Sequence, residues 1–133
     1  MPKNFPLDSA GFHPFGELLG LRFTSVGGGS STCVLEAKPA LFNPHGVLHG
    51  AAVYALVDTG MGAALYSELA DDESCATIEV KVNYLRPVMS GEVTCRCRVV
   101  HRGRSVAVLE AEVACEGRPV ARALGTFSIF PAE

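Results

Sequence analysis

The sequence predicts an α+β fold in which an antiparallel sheet curls round one long helix. Three observations carry this. Residues 50–69 are apolar on nearly every side, with Val53, Leu56, Val57, Met61, Ala64 and Leu65 spread round the helix, and a helix apolar all round is buried all round. Four later segments alternate with period two, the mark of antiparallel strands with one wet face. Two short strand-like segments precede the helix, so strands and helix are segregated rather than interleaved.

Taken in order, residues 1–14 hold three prolines and read as an extended arm. Pro14–Gly20 reads as a short helical turn, with proline at its start and glycine at its end. Residues 21–26 are a first strand. Gly27-Gly28-Gly29-Ser30 is a hairpin turn; no Gly-Lys-Ser/Thr follows, so it is not a phosphate loop. Residues 31–37 are a second strand, and 39–48 are irregular, broken by Pro44 and Gly46. In the long helix, Ala51, Ala52, Ala55, Gly60, Gly62 and Ala63 let other backbone come close. Asp71-Asp72-Glu73 reads as a solvated loop. Strands follow at 76–85, 92–101, 104–115 and 120–130. Val93, Cys95, Cys97 and Val99 share one face of the second of these, and Ala107, Leu109, Ala111 and Val113 one face of the third.

A chain of 133 residues, 48% hydrophobic and 19% charged, is expected to be one folded domain spanning 1–133. A net charge of −3 argues against a nucleic-acid partner. The N-terminus has no apolar signal-peptide core, and no stretch reaches the roughly 20 apolar residues that span a bilayer. The expectation is a soluble, cytoplasmic protein with no membrane partner. Cys33, Cys75, Cys95, Cys97 and Cys115 are odd in number and lack a C-x-x-C pair. They read as free thiols of a reducing compartment, with no metal site.

The chemistry concentrates around Gly50 and Asp58. A carboxylate in an apolar helix is costly to bury without a partner. The helix start offers unpaired N–H groups and the positive end of the macrodipole, suited to an oxygen that gains negative charge. Asp58 offers a general base or nucleophile. Eight residues at 1.5 Å rise separate them by about 12 Å, too far for one small reacting centre. They are therefore unrelated, or they meet across a two-fold dimer that carries two equivalent sites.

The motif Asn43-x-x-Gly46-x-x-His49-Gly50, with Asp58 eight residues on, resembles the hotdog-fold acyl-CoA thioesterases of the phenylacetic-acid-degradation type. The likeness runs from Pro14-Phe15-x-x-x-Leu19-Gly20 to the final strand. It implies a homodimer, with dimers paired into tetramers, that hydrolyses an acyl-CoA and needs no metal or redox cofactor. By the same resemblance, the Gly50 amide polarises the thioester carbonyl and Asp58 activates water or attacks directly. Asn43 helps hold substrate or water, His49 is a supporting polar contact, and the Thr77 hydroxyl steadies the water beside Asp58. One departure is that the family's His-Gly-Gly is His49-Gly50-Ala51 here, which bears on acyl preference.

Each residue also has a plainer reading: turn chemistry for Asn43, a cap for His49, close packing for Gly50, a structural carboxylate for Asp58, and β-propensity for Thr77. The joint spacing favours catalysis. The turn His101-Arg102-Gly103-Arg104-Ser105 is a hairpin whose arginines suit the phosphates of coenzyme A. Arg86 before Pro87 is a second choice. A hydratase or dehydratase on the same fold, or an acyl-CoA binding module without catalysis, are the rival readings.

Overall fold

The computed structural model describes residues 11–133. Most of the expected N-terminal arm, residues 1–10, lies outside them. Helix α1 (Pro14–Leu19) starts at its proline and ends at Gly20 in the left-handed region. Strands β1 (Arg22–Gly27) and β2 (Ser30–Glu36) form a hairpin. Its two-residue turn is Gly28-Gly29, both at positive φ, the conformation that matches the twist of the flanking strands. A 3-10 turn at Pro39–Leu41 opens the irregular segment. Helix α2 (Gly50–Tyr66) is followed by β3 (Glu73–Tyr84), β4 (Glu92–Arg102), β5 (Val106–Cys115) and β6 (Arg118–Pro131).

The six strands form one sheet in the order β1-β2-β4-β5-β6-β3, and every pair is antiparallel. The sheet packs round α2, whose residues Leu56, Val57, Met61, Ala64 and Leu65 are fully buried. The alternating sets expected of β4, β5 and β6 supply the facing wall, with Val93, Cys95, Leu109, Ala111, Val113, Ala121 and Phe127 all in the core. Among the described residues no helix is long and apolar enough to cross a membrane.

The small residues of α2 let side chains of the sheet, rather than other backbone, come close. A Cβ on Gly60 would lie 2.7 Å from the Cys97 sulfur, and the buried Ser31 hydroxyl donates to the Gly60 carbonyl at 2.6 Å. Cys33, Cys95 and Cys97 are free thiols buried under this contact. Neighbouring thiols and burial push Cys95 and Cys97 well above the ordinary thiol range.

Three further expectations change. The helix stops at Tyr66 rather than Leu69, because Ser67 caps it: its hydroxyl donates to the Ala64 carbonyl at 2.7 Å and accepts from the Gly29 amide at 3.0 Å. The helix is not buried all round. Ala51 and Tyr54 are exposed and Ala55, Asp58, Thr59 and Gly62 half-buried, a stripe at helical spacing that the sheet leaves open. Finally, Glu73 is more than loop surface. It is half-buried, accepts from the Ala70 amide at 3.0 Å and pairs with Arg102 at 2.6 Å. The Ala70 bond first, and the Arg102 guanidinium with it, hold its carboxyl below the usual range.

Strand β3 is the feature that positions the site. It is a sheet edge twelve residues long and mostly exposed. Its pairing with β6 shifts register between Thr77 and Glu79, which leaves Ile78 as an extra, bulged residue. The bulge resets the inward phase. Cys75 and Thr77 face α2 before it, and Val80, Val82 and Tyr84 after it.

Candidate active site

Two small constellations lie on α2, one at each of the positions the sequence singles out. At the helix start, His49 is the N-cap. Its Nδ1 accepts from the Ala51 amide at 2.9 Å, which places the proton of the neutral ring on Nε2. Its carbonyl accepts from the Ala52 amide at 2.9 Å. The neighbouring amides are thus occupied, while among the described residues nothing accepts from the amide of Gly50. The Tyr84 hydroxyl donates to the Gly50 carbonyl at 2.8 Å. Its ring lies so near that a Cβ on Gly50 would stand 3.2 Å from it. Burial first, and the nearby Tyr54 phenol second, raise the Tyr84 phenol above its ordinary value, so it stays a donor.

This end of the helix opens on a cavity of about 380 Å³ lined by Leu48, Gly50, Val53, Tyr84, Arg86 and Val120 among others. The lining is mostly apolar with one free amide and one cation, the composition of a small-molecule site. The second constellation lies eight residues on. The Thr77 hydroxyl donates to Asp58 Oδ1 at 2.7 Å, and Asp58 is half-buried at the helix surface. The other carboxylate oxygen of Asp58 has no partner among the described residues.

The sequence-derived residues thus divide. Gly50 and Arg86 share the cavity, and Asp58 and Thr77 are bonded to each other, away from its lining. His49 caps the helix, as its plainer reading had it. Asn43 shapes the loop: its Oδ1 accepts from the amides of His45 at 2.9 Å and Val47 at 3.4 Å. Ala51 is exposed and outside the cavity lining. In the β4–β5 turn, Arg102 is committed to Glu73 and to the Gly103 carbonyl. Gly103 donates to the Val106 carbonyl, and Arg104 and Ser105 are exposed. Tyr84 is the residue sequence reasoning missed. Simple alternation from Thr77 points it away from the helix, and only the bulge at Ile78 turns it inward. Among the described residues no group of three or more His, Cys, Asp or Glu side chains is placed to hold a metal ion.

The thioesterase superfamily family model matches residues 45–121, a span that runs from just before the N-cap of α2 into β6. The chain belongs to the thioesterase superfamily. It is a thioester hydrolase with the hotdog fold. A Pseudomonas aeruginosa protein named as an esterase, PA1618, is 32% identical over 129 residues, covering 94% of this chain and 88% of its own length. The 1,4-dihydroxy-2-naphthoyl-CoA hydrolase of Listeria monocytogenes is 27% identical over 75% of this chain and 81% of that one. A solved Ralstonia eutropha structure described as a phenylacetic acid degradation-related thioesterase is 29% identical, with a TM-score of 0.83 over 90% of this chain and 92% of that one. The resemblance carried by Asn43, Gly46, His49, Gly50 and Asp58 therefore holds at the level of the family.

Proposed function

We propose that this thioester hydrolase acts on an acyl-CoA, releasing a free acid and coenzyme A, at a site completed by a second copy of the chain. The observation that carries the reading is the division of labour along α2. The unpartnered Gly50 amide stands at a cavity without an acid, and Asp58 stands about 12 Å further along the same helix. Antiparallel juxtaposition of two helices brings Gly50 of one copy opposite the partner subunit's Asp58. The open stripe on α2 and the unpaired edge of β3 suit such a contact.

In this scheme the thioester carbonyl oxygen accepts from the Gly50 amide, reinforced by the helix dipole. Asp58, held at Oδ1 by Thr77, takes a proton from water with its other oxygen. The hydroxide adds to the carbonyl carbon. The tetrahedral intermediate collapses, its carbon–sulfur bond breaks, and the thiolate takes the proton back from Asp58. No metal or redox cofactor enters. In the variant of this scheme with Asp58 as nucleophile, solvent oxygen-18 enters the enzyme's own carboxylate within a single turnover. As base, Asp58 remains unlabelled.

A naphthoyl-CoA hydrolase among the relatives supports an acyl-CoA substrate. The test is thiol release over a panel of phenylacetyl-, benzoyl-, hydroxynaphthoyl- and medium-chain acyl-CoAs. Release of free thiol from at least one is expected. Hydration of an enoyl-CoA without thiol release overturns the reading in favour of a hydratase. Binding without turnover of any thioester overturns it in favour of a binding module.

A further inference from the structure

Gly50, Tyr54 and Asp58 follow one another at single-turn spacing on one face of α2. Tyr54 is midway, about 6 Å along the helix from each. The other apolar members of the open stripe, Ala51, Ala55 and Gly62, are small, so Tyr54 is its one large apolar side chain, and it is exposed. Strand β3 crosses this face in the opposite direction: Thr77 is bonded to Asp58 and Tyr84 to Gly50. Between them Val80 packs against the core, while Glu79 and Lys81 on either side of it are exposed. Among the described residues neither Glu79 nor Lys81 has an ion-pair partner, and one edge of β3 is unpaired.

We infer that two copies of the chain pair about a two-fold axis that passes Tyr54 of α2 and Val80 of β3, with the β3 edges antiparallel and Glu79 opposite the partner subunit's Lys81. This rests on the two-copy reading above and adds to it a register and the groups that select it. Helix and strand give the axis separately. With Gly50 facing the partner subunit's Asp58, the two-fold operation sets each residue of α2 against the one equally far beyond Tyr54, and Tyr54 against its own copy. On β3, antiparallel pairing about Val80 brings each Glu79 opposite a Lys81, two opposite-charge pairs per dimer. An axis one residue to either side sets Glu79 or Lys81 against itself, like charge on like. Val80 lies in the stretch between Thr77 and Tyr84 that spans the turn of Tyr54, so a single axis satisfies both elements.

The test is subunit exchange between Glu79→Lys and Lys81→Glu chains, one of them labelled with nitrogen-15, read by native mass spectrometry. In this register each variant alone sets like charges opposite, and only the mixed dimer restores both pairs. Mixed dimers are expected to rise from the random one half to about four-fifths or more. A short bis-maleimide is expected to join Tyr54→Cys chains in several-fold higher yield than Ala51→Cys chains, whose sites lie about 9 Å apart along the helix direction. Random mixing, or equal cross-linking, overturns the register and leaves the two-copy reading in place. A native protein that flies as a monomer in the same spectrometer overturns both. Neither measurement needs turnover, so inactivity toward every thioester counts against the hydrolytic scheme alone.

Discussion

The two ends of the α2 site are built in opposite ways. At Gly50 the backbone does the work: an unpartnered amide, a capping histidine beside it, a tyrosine bonded to its carbonyl, and a cavity with apolar walls. At Asp58 a side chain does the work, tied by one hydroxyl and lying at an open surface. The first end presents an amide to an oxygen acceptor, and no carboxylate lines its cavity. The second offers a carboxylate that lies outside the lining of that cavity. On the proposed scheme, the contrast makes a single copy the holder of two halves of different sites rather than one loose site, with β3 bracing both halves through Thr77 and Tyr84.

That contrast can be broken from either end. Asp58→Asn is expected to lower kcat by about 10²- to 10⁴-fold, the usual worth of a general base, with the fold intact by circular dichroism. Gly50→Pro removes the amide proton while leaving a good helix start. Proline is favoured at the first helical position, and His49 already has the extended conformation that a following proline needs. It is expected to cost about 10²- to 10³-fold in kcat. Normal turnover in either variant would dissolve the division between the two ends.

Smaller changes sharpen it. Thr77→Ala removes the donor to Asp58 and is expected to lower kcat about tenfold with little change in KM, while Thr77→Ser keeps most of the activity. Tyr84→Phe removes the donor to the Gly50 carbonyl, and a loss of about 0.5–1 kcal/mol in stability is expected from urea unfolding. The pH dependence follows from the sign of the shift. The folded phenol is raised above its ordinary value near 10. The contribution is therefore complete below about pH 10 and is lost as pH rises through the raised folded value. The stability gap between native protein and Tyr84→Phe should be flat through neutral pH and close in alkali.

The central strands were readable from sequence because each has one wet face. Leu109, Ala111 and Val113, or Ala121, Ala123 and Phe127, fall inward at every second residue, and burial follows. The Asp58–Thr77 pair was readable only through family resemblance, since 19 residues separate them. Tyr84 was not readable, because a single bulged residue inverts the phase of the strand that carries it. The open stripe of α2 was hidden by composition: Ala51, Tyr54, Ala55 and Gly62 are as apolar as the buried face, and apolar pattern alone does not say which partner covers them. The Glu73–Arg102 pair joins two elements 29 residues apart and gives no local signal.

The central claim, that two copies lend opposite halves to each site, is tested most directly by complementation between inactive variants. Asp58→Asn and Gly50→Pro chains are dissociated, mixed in equal amounts and allowed to reassociate, with heterodimers counted by native mass spectrometry. Half of the dimers are then mixed, and each holds one site with both wild-type groups. The account predicts recovery of about a quarter of the wild-type thiol-release rate. Heterodimers present in that proportion and still inactive would contradict it.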